Sequence, residues 1–509
     1  MAGVDALILF GIMALLLGIG LSNWTSGAST KEFFLGGQRL RWWHIGFSLF
    51  ATNFSASAII GLTGAAYLTG IAIYNYEWVG ILVMVFFAFV LSGPVRRGSF
   101  YSIAQFLEER FGTRIKIIYS ALILFLLVFI DMAGALYAGG VLLREVFPGL
   151  SISVIILIIM LMAGTYSMVG GLGAISRIDM VQSVILICGA VLVSYYTLKT
   201  VGGWSALSTA APEGFLSLVR PIDDRAVPWT GLVTGVPILC CYFWLVNQNM
   251  VQWVLSARSA QDARIGLMMA GYLKIIVLFI VVIPGVAAIS LFPDLTEPDR
   301  IYPTLLFELL PAGILGLVLA GFVSAIMSST DSILHASSTI ITMDFVKNMR
   351  PDLAARDLVR VGRLTTAGVI VLGAVWAPVI GEFGTLFEYV QGLLSYAVAP
   401  FVVVYLAGWF WPRANETGAL LALACGFSST ILFAVATSLG WFEIHYLHVP
   451  LPVSLLSLLG LVAGSLIPRD GAAISWSAPR ADFRQTPASD TMIGVVLLVL
   501  VGAQLIWFW

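Results

Sequence analysis

Phe47-Ser48-Leu49-Phe50-Ala51-Thr52-Asn53-Phe54-Ser55-Ala56-Ser57-Ala58 is the stretch of this chain that decides its fold. It lies in an apolar run, 44–70, that is long enough to cross a bilayer. Yet Thr52, Asn53, Ser55 and Ser57 crowd its middle, and Gly61 and Gly64 follow. A segment of this kind can break its helix inside a membrane, provided the freed carbonyls line a cavity. The same small residues also suit close packing between helices, and the two uses are compatible.

Composition places the rest of the chain in the same setting. Of 509 residues, 60% are hydrophobic and only 10% are charged, and mean hydropathy is +0.98. A soluble domain carries roughly 25% charged residues, so this chain could not cover a water-facing surface of its size. It reads as an all-α integral membrane protein in the cell membrane, with the lipid bilayer as its main surroundings. Net charge is −1, which points to no nucleic-acid partner. Cys188, Cys240, Cys241 and Cys425 all sit in apolar runs and read as small core residues.

A membrane helix needs about 20 mostly apolar residues. Fourteen runs qualify: 5–22, 44–70, 75–95, 118–143, 152–170, 176–198, 227–247, 266–291, 311–343, 362–381, 385–410, 417–439, 449–467 and 490–509. With the N-terminus outside, twenty of the 26 basic residues fall in inside loops, five fall outside, and Lys274 lies within a span. That bias fits the positive-inside rule and an even span count, so both termini are expected outside. The Gly36-Gly37 and Gly170-Gly171-Leu172-Gly173 turns read as loop punctuation at span ends. The 468–489 loop, rich in Ala, Ser and Pro, reads as a flexible linker.

Charged groups inside a bilayer are costly and become functional candidates by default. Glu77, Asp131, Asp179, Lys274 and Asp331 are such residues. Glu77 and Asp179 lie near span ends and could instead reach interfacial water, and Lys274 could snorkel. Around Asp331, the residues Ala325, Ser328, Ser329 and Ser332 follow i, i+3, i+4, i+7 and share one helix face. Hydroxyl and carboxylate oxygens suit a small alkali cation better than a soft transition metal, although hydroxyls can also bond across helices. Broken helices and such faces are how many secondary transporters hold ions. The sequence contains no phosphate-binding G-x-x-x-x-G-K-[ST], no H-E-x-x-H and no nucleophile–base set, so no catalytic residues are assigned.

The order of motifs resembles the sodium–solute symporter family. The carrying residues are Phe33-Phe34-Leu35-Gly36-Gly37 with Trp42 through Ala56, then Tyr76-Glu77-Trp78, Asn247-Gln248, Ser328-Ser329, and Ser338 through Asp344. The resemblance covers nearly the whole chain and is nearest to the sodium–glucose cotransporter branch. It implies a LeuT-type core of two inverted five-helix repeats, 44–198 and 227–410, with an extra N-terminal helix at 5–22 and peripheral helices over 417–509. It implies a sodium site built from the Ala51, Phe54 and Ala325 carbonyls with the Ser328 and Ser329 hydroxyls. A second sodium would use Asp179 with Ser328, Asp331 and Ser332, where Asp331 departs from the small polar residue usual in the sugar branch. The solute positions of that branch match Asn53, Glu77, Lys274 and Gln391, with Phe243 and Trp244 as stacking surfaces. Ala58, Cys240 and Phe243 replace more polar residues there, which should change the solute accepted, since an unpaired buried polar group costs about 1–3 kcal/mol.

The expected function is therefore sodium-coupled import of a small polar solute, a sugar or a polyol, by a transporter acting as a monomer and not by an enzyme. The same fold carrying an amino acid, a carboxylate or sialic acid is the first alternative, and a transporter-like sensor or channel is the second.

Overall fold

The computed structural model describes residues 3–22, 30–98, 100–224, 227–383, 385–441, 443–467 and 486–509. Most of the 468–489 loop, together with Arg225, Arg469, Arg480 and Arg484 of the charge count, lies outside the described residues. Within them the chain is built of helices, as the bilayer demands: no water is present there to satisfy loose backbone groups. Ten helices are long and apolar enough to cross a membrane, or eleven when the pair Leu386–Ala397 and Ala399–Phe410, bent by 53°, counts as one. Gly3–Leu16 and Ile152–Leu161 are shorter apolar helices.

Three expected crossings make up the difference between eleven and fourteen: 5–22 and 152–170 correspond to the two shorter helices, and 44–70 with 75–95 counts once, as Ala56–Arg97. The 44–70 run is two helices, Trp42–Asn53 and Ala56–Thr69. The second of these ends at Gly70, whose φ of +78° only glycine adopts cheaply. A side chain there would also collide with the backbone of Phe215. The expected loop at Gly170–Gly173 falls within the helix Ile152–Val201, in the stretch 162–174 whose side chains mostly lie outside the described residues.

Breaks recur where the functional argument needs them. Trp42–Asn53 stops at Phe54, and Ser55 restarts the chain by capping the next helix, its hydroxyl accepting from Ala58 N at 3.1 Å. The 227–247 run passes through a π-helical turn, Tyr242–Val246, and breaks at Asn247. There the Asn247 side chain caps the following helix by accepting from Asn249 N at 2.9 Å. Asn and Ser are favoured at such positions because they satisfy N–H groups that the helix start leaves open.

Helix Ile314–Thr339 is the centre of the bundle. All of its residues except Ile314 and Leu317 are buried. A helix enclosed on every side belongs to a core and not to a lipid face. It packs along Ile152–Val201, and the approach is close: a Cβ on Gly321 would meet Ile185 O at 3.2 Å. Asp5, on Gly3–Ser22, accepts from Gly313 N and Gly316 N at 2.7 and 2.9 Å, and so caps the start of this central helix.

Candidate functional site

The two breaks face one cavity of about 150 Å³, room for several waters or one small solute. Asn53, Glu77, Phe243, Trp244, Lys274 and Gln391 all line it. Five helical elements bring them there: Trp42–Asn53, Asn75–Phe86, Tyr242–Val246, Ala260–Ile275 and Leu386–Ala397. Ser329, from the central helix, lines the same cavity.

Its polar heart is an ion pair. Lys274 Nζ meets Glu77 Oε2 and also donates to Asn53 Oδ1. Only 2% of the lysine side chain is exposed. A buried charge is tolerable when it is both paired and hydrogen-bonded, and Lys274 meets both conditions. Its ammonium also lies 5.3 Å from the centroid of the Trp244 ring, a cation–π distance. Gly80, one turn past Glu77, makes room for that indole: a Cβ there would sit 2.9 Å from Trp244 Nε1. Cys240 Sγ donates to Tyr76 O at 3.4 Å. Gln391 forms part of the wall, and its backbone carbonyl accepts from Ser395 Oγ at 2.8 Å.

Asp131 lines the cavity as well, and the sequence reading had given it no role in the site. It stands in a π-helical turn, Leu127–Met132, and accepts from Asn247 Nδ2 at 3.2 Å. A carboxylate at the second helix break is thus part of the same polar surface. The signal that could have found it was present: a charge in the middle of an apolar run.

The expected ion ligands stand at the end of Trp42–Asn53 and on the central helix. The first of these helices stops at Asn53, so carbonyls of its last turn, including that of Ala51, lack an intrahelical donor. Phe54 N closes on Phe50 O at 2.7 Å, and Phe54 itself leaves the helical path. On the central helix, Ser329 Oγ donates to Ala325 O at 2.9 Å, and Ser328 Oγ donates to Asp179 Oδ1 at 2.6 Å. The other oxygen, Asp179 Oδ2, is buried with no hydrogen-bond partner among the described residues. Asp331 is 1% exposed and Ser332 is buried. The two helices touch directly at this level, with Thr52 Oγ1 and Ser332 Oγ 3.0 Å apart, while Trp253 Nε1 donates to the same Thr52 oxygen at 3.2 Å. The arrangement offers several oxygens, one of them a carboxylate oxygen without a partner, from three helices: Trp42–Asn53, Ile152–Val201 and Ile314–Thr339.

Residues 33–426 match the model of the sodium:solute symporter family. The chain belongs to that family. Among its relatives is sodium/myo-inositol cotransporter 2 of Oryctolagus cuniculus, 31% identical over 91% of this chain and 76% of that one. The human protein of the same name is 33% identical over 83% of this chain and 68% of its own length. The sodium/glucose cotransporter of Vibrio parahaemolyticus is 31% identical, covering 82% and 83% of the two chains. Among solved structures, a Na+-coupled sialic acid symporter in a substrate-bound outward-open state superposes with a TM-score of 0.81 at 20% identity, over 91% of this chain and 98% of that one. At that identity the likeness shows the fold, which is the one expected for a sodium:solute symporter. Sodium is the coupling ion of the family, and its members here are cotransporters and not enzymes.

Proposed function

We propose that this symporter couples inward sodium flow to uptake of a neutral polyhydroxylated solute, a sugar or a polyol, across the cell membrane. The observation that carries the solute class is the Glu77–Lys274–Asn53 cluster in a cavity walled by Trp244 and Phe243. Its acid, base and amide suit hydroxyl groups, which both donate and accept, and the aromatic wall suits a ring face. The relatives' names, myo-inositol and glucose cotransporters, agree with that reading.

Sialic acid or another carboxylate is the second reading, favoured by the sialic acid symporter of like fold. Against it stands the state of the only cation lining the cavity among the described residues: Lys274 is already engaged by Glu77, and Asp131 adds a further acid. An anionic solute would have to displace Glu77 from Lys274.

Sodium would bind between the first broken helix and the central helix, at Ala51 O, Phe54 O, Ala325 O, Ser328 and Ser329. The unpartnered oxygen of Asp179 supports a second cation near Ser328, Asp331 and Ser332. Fourteen crossings with both termini outside, repeats at 44–198 and 227–410 that each open on a broken helix, and action as a monomer complete the proposal. Inward sodium gains about 2.3 kcal/mol per charge per 100 mV, and sodium and solute must raise each other's affinity equally. The test is uptake into proteoliposomes across a panel of sugars, polyols, amino acids and sialic acid, with and without a sodium gradient. Sodium-dependent uptake of a neutral polyol or sugar is expected, and full uptake without sodium would overturn the ion assignment.

A further inference from the structure

Glu77 and Lys274 stand on different helices, Asn75–Phe86 and Ala260–Ile275. Something must hold those two backbones in register for the pair to form. Directly after Lys274 the α-helix fails at Ile276, and a π-helical stretch resumes at Leu278–Val282. A break of this kind leaves carbonyls in need of donors from elsewhere.

The donors come from the periphery. Helix Ala488–Trp507 carries Gln504, only 8% exposed. Its Nε2 donates to Ile275 O at 3.1 Å, next to Lys274. Its Oε1 accepts from the hydroxyl of Tyr74 at 2.9 Å. Tyr74 is fully buried, lies three residues before Glu77, and its hydroxyl also stands 3.4 Å from both Lys274 O and Ile275 O. A carbonyl can only accept, so this orientation of the amide satisfies both of its ends. A second tie runs in parallel. Leu218 N donates to Phe508 O at 2.8 Å, and Asn75 Nδ2, two residues before Glu77, donates to Leu218 O at 2.7 Å.

We propose that Gln504 is a positioning residue of the solute site: one amide clamps the backbone leading into Glu77 to the backbone leaving Lys274, and so sets the geometry of their ion pair. The inference rests on reading the Glu77–Lys274 cavity as the solute site. It makes the Ala488–Trp507 helix, which lies outside both repeats, a part of solute recognition. It does not make Gln504 a ligand, since its side chain does not line the cavity.

Gln504→Leu keeps the volume and removes both hydrogen bonds. With two bonds lost, half-saturation for myo-inositol or D-glucose should rise about tenfold at saturating sodium. The maximal rate should stay near the parent value, while the melting temperature should fall by a few degrees because Ile275 O loses its donor. In a Glu77→Gln background, where the pair is already broken, the same change should add nothing to amine labelling of Lys274, as expected of residues acting through one another. Gln504→Glu, which keeps the acceptor for Tyr74 but loses the donor to Ile275 O, should fall between. Tyr74→Phe gives an independent cut should the leucine variant fold poorly. Modification of Lys274 by a small amine-reactive reagent, followed by peptide mass spectrometry, reads the pair without any solute, and should increase several-fold in Gln504→Leu. Unchanged half-saturation with unchanged Lys274 labelling would overturn the role of Gln504, as would an undiminished rise in Lys274 labelling in the Glu77→Gln background. Failure of the parent protein to carry either probe with sodium would instead count against the proposed function, and the labelling would still decide the clamp.

Discussion

Ser328 Oγ donates to Asp179 Oδ1 across 2.6 Å, joining two helices through residues 149 positions apart in the chain. The second oxygen of that carboxylate, buried and without a partner, is the site's unspent acceptor. Asp179→Asn keeps the size and removes the charge. Hydrogen bonds to charged groups contribute about 1.5–3 kcal/mol, so half-saturation by sodium is expected to rise at least tenfold. If a second cation binds here, the steepness of the sodium dependence should also fall toward one. Sodium titrations of uptake measure both, and an unchanged curve would remove Asp179 from the ion path.

Ser329 lines the cavity while its hydroxyl points at Ala325 O. Ser329→Ala deletes one oxygen from the proposed sodium set without touching the ion pair. Sodium-driven uptake should collapse, whereas solute counterflow at very high sodium should recover in part. Wild-type sodium affinity in this variant would place the ion elsewhere.

Removing one partner of a buried ion pair costs about 3–5 kcal/mol, because the other charge is stranded. Glu77→Gln and Lys274→Met should therefore each lower the melting temperature in detergent by several degrees and abolish uptake. The double variant Glu77→Leu with Lys274→Met leaves no stranded charge. Its melting temperature is expected to return toward the parent value while uptake stays absent. Equal destabilisation in single and double variants would mean that the pair is not coupled.

Asp299, in the loop before the central helix, has its carboxyl raised to about 6. Burial is the main cause, opposed by the hydrogen bond from Leu386 N and helped by the Glu388 and Glu297 carboxylates. Its ordinary value is 3.8, so between roughly pH 4 and 6 the folded state holds more of this proton than the unfolded state. Stability from this group is thus present below that window and declines as pH rises through it. Asp299→Asn should flatten the fall in melting temperature between pH 4.5 and 6.5. Parallel pH profiles for the two proteins would show that the group titrates normally.

The pattern of residues disclosed much of this molecule before any coordinates. Polar residues in the middle of 44–70 foretold a broken helix, and the break falls at Phe54 and Ser55. Charge in apolar runs picked out Glu77 and Lys274, because a bilayer tolerates so few. Their pairing was not legible, since nothing in a linear sequence says which buried acid meets which buried base. Asp131 stood in the same list, but its place in the wall depends on the turn at Asn247. Gln504 was invisible for a further reason: its work is done on two backbone segments whose meeting is a tertiary fact.

Thr52 has one hydroxyl and two neighbours, Ser332 and the indole of Trp253. Any motion that parts the first broken helix from the central one takes Ser332 from Thr52, which lines the cavity, at a cost of about 1–3 kcal/mol unless another partner replaces it. The replacement within reach is a water molecule. Opening at this level is therefore a wetting event, and its rate must answer to the activity of water. An impermeant osmolyte, present equally on both sides of the membrane, should slow turnover of this protein without changing its equilibrium affinity for sodium in the closed form. The junction at Thr52 thus acts as a hydration lock between two halves of a cycle.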